Sequence, residues 1–134
     1  MKNDLRLKWT INNKKLVKTS KKTIYKVAGW GIPASYDFTH NKQNMNTCPS
    51  ALACKAVCYA RQGLYRMPNV HNARVKNLKS SLKSSFRNNL IKDLAKLEKK
   101  GFNTIRVHDS GDWYDQAYLE NWYAAAKLYP KLRF

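Results

Sequence analysis

At 134 residues and 15.6 kDa the chain supports one domain, residues 1–134, and excludes two; a domain this size buries roughly 65% of its unfolded surface. Its 26 Lys and Arg against 8 Asp and Glu give a net charge of +18, and 43% hydrophobic residues exclude a disordered basic tail, so a folded protein with a polyanionic partner is expected. Three cysteines cannot all pair within one chain, which argues for a reducing cytoplasm, and with no apolar run near ~18 residues and a polar start, Met1-Lys2-Asn3-Asp4, neither a membrane span nor a signal core is indicated.

Residues 1–33 read as strand-rich. Leu5, Leu7, Trp9 and Ile11 alternate with Arg6, Lys8 and Thr10, the period of a strand with one apolar face. Asn12-Asn13 reads as a turn, and Leu16 to Ser20 and Thr23 to Val27 as two further strands of a small antiparallel unit, which Gly29, Gly31 and Pro33 interrupt. Gly29-Trp30-Gly31 lacks the third glycine of a dinucleotide-binding loop.

Residues 34–134 carry a cysteine loop and a helix-strand-helix part. Residues 34 to 72 are irregular except for a short helix around Pro49 to Ala60. Val75, Leu78, Leu82, Phe86, Leu90, Leu94 and Leu97 then recur at steps of three and four, predicting one long amphipathic helix from Asn72 to Lys99 that Gly101 stops. Lys76, Lys79, Lys83 and Arg87 form a band beside that stripe. Thr104 to His108 reads as a strand, Asp109-Ser110-Gly111-Asp112 as the turn leaving it, and Asp115 as the cap of a helix that offers Leu119, Trp122, Ala126 and Tyr129 to the core. Leu132-Arg133-Phe134 starts another strand. The fold class is therefore α+β, a small mixed sheet with a long amphipathic helix.

Charge divides unevenly. Residues 1–47 hold 10 basic and 2 acidic groups, residues 48–100 hold 12 and 2, and residues 101–134 hold 4 and 4. No carboxylate separates Asp37 from Asp93. Ordinary solvated faces mix their signs, so Arg61, Arg66, Arg74, Lys76, Lys79, Lys83 and Arg87 are the expected phosphate contacts.

Cys48, Cys54 and Cys58 lie within eleven residues, and thiolates so grouped hold zinc or an iron–sulfur cluster, although buried unmodified thiols are the commoner outcome. His108, Asp109 and Asp112, at the end of the predicted strand, are candidate polar contacts for a ligand; a turn followed by a helix cap explains the carboxylates equally.

Two blocks, Cys48-Pro49-Ser50-Ala51-Leu52-Ala53-Cys54-Lys55-Ala56-Val57-Cys58-Tyr59-Ala60 and Arg106-Val107-His108-Asp109-Ser110-Gly111-Asp112-Trp113, resemble the phage-associated gene-product-eighty-eight-like family, whose three-cysteine loop is similar to that of radical S-adenosylmethionine proteins. The resemblance covers Lys26 to Phe134. It implies that Cys48, Cys54 and Cys58 are cluster ligands and that Asp109 and Asp112 stand at the mouth of a barrel strand. A full eight-unit barrel needs ~250 residues, whereas this chain supplies about two strand-helix units, so the resemblance implies an incomplete barrel: a fragment or a shortened relative.

The leading expectation is a basic nucleic-acid-binding protein, RNA before duplex DNA, acting in the host cytoplasm if phage-encoded and interfering with a host process, without a cofactor. Trp30, Tyr36, Tyr59, Tyr65, Trp113 and Tyr114 flank loops where rings could stack on bases. One alternative is an iron–sulfur enzyme using S-adenosylmethionine; another is an inhibitor that binds a host protein of the nucleic-acid machinery. An unpaired sheet edge predicts a homodimer.

Overall fold

The computed structural model describes residues 5–134; Met1–Asp4, read above as a start without a signal core, lie outside the described residues. The elements run α1 (Lys14–Lys22), β1 (Val27–Trp30), β2 (Asp37–His40), β3 (Gln43–Asn46), α2 (Pro68–Ser81), α3 (Phe86–Lys99), β4 (Thr104–Val107) and α4 (Gln116–Lys127), with three short 3-10 turns between Ala53 and Arg66. Two small sheets result. β1 and β4 pair in parallel, Val27 opposite Thr104 and Trp30 opposite Val107, and β2 pairs antiparallel with β3. The architecture is α+β, and its sheets do not close into a barrel.

β1 is buried along its whole length, as expected of a parallel strand covered on both faces. Around it pack Trp9, Trp30, Phe86, Tyr118 and Trp122 with Leu78, Leu90, Leu94 and Leu97. Trp30 is central. Its ring centroid lies 5.5 Å from Trp9, 5.5 Å from Trp122 and 5.8 Å from Phe86, all in the tilted or edge-on arrangements that ring quadrupoles favour.

Several sequence expectations are corrected here. The alternation from Leu5 to Ile11 describes burial correctly, since Leu7 and Trp9 are buried and Arg6 and Lys8 exposed, yet the segment forms only an isolated bridge between Thr10 and Gly29. Its amides are engaged by side chains instead. The expected strand Leu16 to Ser20 is helix α1, because the Asn13 side chain accepts from Lys15 N and caps it; the expected third strand begins only at Val27 and extends through Gly29. The irregular stretch after Pro33 contains the β2–β3 hairpin, whose two-residue turn has positive φ at both Asn41 (50°) and Lys42 (63°). That combination matches the right-handed strand twist. The helix expected from Pro49 to Ala60 is a succession of 3-10 turns.

The long helix is two helices. α2 begins at Pro68, whose missing N–H is harmless in a first turn, and ends at Ser81; Leu82–Ser85 intervene before α3. Serines at 80, 81, 84 and 85 lower helix preference there, and the Ser81 hydroxyl lies 2.7 Å from Leu78 O and 2.7 Å from Tyr114 Oη. The apolar stripe survives the break, with Leu78, Phe86, Leu90, Leu94 and Leu97 buried. α4 starts as predicted on the Asp115 cap, which accepts from Tyr118 N at 2.7 Å, but Leu119 is 38% exposed and does not join the core. The last residues do approach the sheet: Ile105 N donates to Arg133 O at 2.7 Å.

Candidate functional site

Two side chains pin the N-terminal segment against the helices. Asp93 of α3, fully buried, accepts from Arg6 N through Oδ1 at 2.8 Å, and through Oδ2 from Leu7 N at 2.8 Å and Trp9 Nε1 at 2.9 Å. Asn77 of α2 accepts from Lys8 N at 3.0 Å and donates to Lys8 O at 2.8 Å and Gly31 O at 2.9 Å. Held this way, the segment turns Leu7 and Trp9 inward and leaves Arg6 and Lys8 exposed. Lys8 is thereby joined to the residue after Lys76, and Arg6 to the residue after Lys92.

Lys76, Lys79, Lys83 and Arg87 are exposed, as are Arg61 and Arg66 in the cysteine loop. Their common band is divided, however: Lys76 and Lys79 lie on α2, Lys83 in the break, and Arg87 on α3, where its Nε donates to Asn121 Oδ1 at 3.0 Å. Arg74 belongs elsewhere. Its Nη2 stands 2.7 Å from Asp109 Oδ2 with both side chains largely buried, and its guanidinium lies 4.8 Å from the Tyr65 ring centroid. A guanidinium so engaged is not a free phosphate contact.

Six of the seven described acidic residues accept from donors of the protein itself, Asp37, Asp112 and Glu120 doing so at exposed positions. Asp93 takes three N–H donors, Asp115 caps α4, Asp112 accepts from Trp113 N, Asp37 from the Asn46 amide and Glu120 from the Gln116 amide, while Asp109 takes Arg74. This use of carboxylates leaves the exposed cations of α2 and the following turn without ion-pair partners among the described residues.

A second cluster forms where β1 and β4 end. His108 has φ 63°, a left-handed conformation that costs a residue with a Cβ on the order of 1 kcal/mol or more, and it is held by His108 N donating to Trp30 O at 2.9 Å. Trp30 Nε1 donates to Tyr118 Oη at 2.8 Å, and His108 Nε2 stands 2.9 Å from the same hydroxyl. The direction of the His108–Tyr118 bond is set by the imidazole tautomer, since the hydroxyl oxygen that takes Trp30 Nε1 has a second lone pair. Burial pushes the His108 pKa down to about 4 against the opposing pull of Asp112. Burial also raises the Asp109 carboxyl above its ordinary range, against the lowering effect of Arg74 and Arg106, and it carries the Tyr114 hydroxyl up to about 12. Gly31 makes this packing feasible, since a Cβ there would stand 2.1 Å from Asp109 Oδ1.

The cysteine loop is fastened to the same strand ends. Tyr59 Oη donates to Asp109 O at 2.6 Å, and Ser35 N donates to Cys48 Sγ at 3.2 Å. Cys48 and Cys58 are half-buried and Cys54 is exposed. The three sulfurs do not converge: among the described residues no group of three or more Cys, His, Asp or Glu side chains stands where it could hold a metal ion. The thiols as arranged do not fit a cluster. Of the aromatic residues expected at loops, Trp30 and Tyr114 are buried in the core, whereas Tyr59 is 59% exposed.

The site thus defines an α+β protein with exposed basic side chains on α2 and the turn after it and a tightly packed polar cluster at its parallel strand ends. The chain belongs to the Gene product 88 family, whose description matches residues 5–134. No curated protein and no solved structure matches it. Among the described residues, no helix is long and apolar enough to cross a membrane.

Proposed function

We propose that this protein binds nucleic acid, RNA in preference, by its phosphate backbone. The observation that carries the reading is that Lys76, Lys79 and Lys83 stand exposed without ion-pair partners among the described residues, alongside exposed Arg6, Lys8 and Arg87. Cations in that state bring condensed counterions off a polyanion, so affinity falls steeply with salt. Tyr59, exposed two residues before Arg61, presents a ring for stacking on an unpaired base.

The test is fluorescence anisotropy with a labelled RNA hairpin carrying a single-stranded loop, titrated from low to physiological salt. Replacing Lys76, Lys79 and Lys83 by Gln lowers the slope of log K against log salt by about 2–3, at about 0.7–0.9 per lost phosphate contact. An affinity that is weak and indifferent to salt overturns the proposal. If the function is interference with a host process, RNA is the material retained on purification; a host protein that stays bound after nuclease treatment points instead to inhibition through a protein contact.

The iron–sulfur reading requires Cys48, Cys54 and Cys58 to converge on one cluster. Anaerobic reconstitution with iron and sulfide, read by absorbance and iron content, tests whether they do so in solution.

A further inference from the structure

We infer that α1 is a second contact surface for the phosphodiester backbone of a nucleic acid, separate from α2 and α3, and that binding there consolidates the helix. The inference rests on the nucleic-acid reading above and adds to it a site on a segment for which the sequence predicts a strand.

Five of the nine residues of α1 are lysine, at 14, 15, 18, 21 and 22, and none is acidic. At 100° per residue these five fall within an arc of about 120°. The opposite side is already occupied: Leu16 packs on β1, its Cδ1 standing 3.8 Å from where a Cβ on Gly29 would be, and the Thr19 and Ser20 hydroxyls donate to Lys15 O and Leu16 O. Val17, 38% exposed, floors a shallow groove that Asn12, Lys14, Lys18, Lys21 and Lys22 line.

Local electrostatics oppose this helix in isolation. Lys14 and Lys15 place positive charge in a first turn, where the macrodipole is already positive, against the favourable placement of Lys21 and Lys22 in the last turn. Lys14–Lys18 and Lys18–Lys22 are like-charge pairs at i,i+4. Nine residues is also short for a helix in water, and α1 buries no residue fully. A polyanion across the lysine arc offsets the like-charge pairs and the positive charge of the first turn. A bilayer surface fits less well, because an interfacial helix turns its apolar face outward and the apolar Leu16 of α1 is turned onto β1.

The test uses the full chain and the same labelled RNA hairpin. In the triple variant Lys18→Gln, Lys21→Gln, Lys22→Gln, the salt slope falls by about 2–3. A charge-matched control, Lys42→Gln, Lys127→Gln, Lys131→Gln, changes exposed lysines elsewhere and leaves the slope within about 1 of the parent's. Hydrogen exchange provides the second readout: RNA slows exchange of the amides over residues 18–23 several-fold in the parent and not in the α1 triple. Glutamine is a good helix former at exposed positions, so an unchanged melting midpoint confirms that the variant folds. Equal slope losses in the two triples, or parent-like binding and protection in the α1 triple, overturn the inference while leaving the nucleic-acid reading intact. A parent chain that shows no salt-dependent binding overturns both.

Discussion

Replacing Asp93 by Ala removes the acceptor of three N–H groups at once. Arg6 N is partly buried and can recover water, whereas Leu7 N and Trp9 Nε1 are buried with the carboxylate. Hydrogen bonds to a charged group contribute about 1.5–3 kcal/mol each, so the two buried donors account for about 3 kcal/mol and the third brings the expected loss to about 3–5 kcal/mol. Asn is a partial remedy. With its carbonyl oxygen at the Oδ2 position it keeps Leu7 N and Trp9 Nε1 as neutral bonds and turns its amide on Arg6 N alone, so Asp93→Asn costs less than Ala, about 1–3 kcal/mol. Trp9→Phe keeps an aromatic ring but loses one donor and the rest of the indole from a packed core, for a loss of about 2–4 kcal/mol. Urea unfolding followed by tryptophan fluorescence reads all three variants, and with a slope of about 1–3 kcal/mol per molar the Ala midpoint falls by about 2 M. A loss below ~1 kcal/mol in Asp93→Ala refutes the account of the N-terminal segment as held by this carboxylate.

Because the folded pKa of His108 lies near 4 and its ordinary value is 6.5, the unfolded chain takes up a proton that the folded one refuses. Stability therefore falls as pH drops from 6.5 towards 4, by up to about 3 kcal/mol, and His108→Gln flattens that part of a melting-midpoint profile. Asp109 acts in the opposite sense: with its folded pKa raised, it detracts from stability above the ordinary carboxylate value, and Arg74→Gln deepens that loss at neutral pH, measurable by the same melts. Gly111→Ala costs about 2–4 kcal/mol in urea unfolding, since φ is 78° and the new Cβ would meet Ile32 Cγ1 at 2.3 Å and Ile32 O at 3.0 Å. The homodimer expected from the open β1–β4 sheet is tested by light scattering, which gives twice the monomer mass if that edge pairs and the monomer mass if it does not.

Apolar periodicity was the readable part of this fold. Leu78, Phe86, Leu90, Leu94, Leu97 and Trp122 are all buried where their spacing puts them, because a stripe must face a core whatever the chain does between its turns. Continuity of the ladder is a different matter. Spacing carries no mark of the break at Leu82–Ser85, though the paired serines on either side were a local signal. For α1 the β-branched residues at 17, 19 and 23 favour strands in the sequence, while the helix follows from the Asn13 cap and the placement of Leu16. The hairpin was hidden by its polar strands, and only Asn41, a residue tolerant of positive φ, announced it. For the candidate site, composition located the cations but not their partners. That Arg74 reaches Asp109, and that Asp93 reaches back to residues 6, 7 and 9, are long-range pairings with no signature in local sequence.

The interruption between α2 and α3 has a bearing on what shape of ligand the basic surface suits. Lys76 and Lys79 on one limb and Arg87 and Lys92 on the other are no longer spaced by a single helical pitch, so their separation is set by the core that each limb packs into. A stiff, evenly spaced row of phosphates matches one limb at a time. A strand that can swerve or splay, such as the loop of a hairpin, can follow both, and on the proposed nucleic-acid reading that difference in compliance would favour folded RNA over a straight duplex without any base being read.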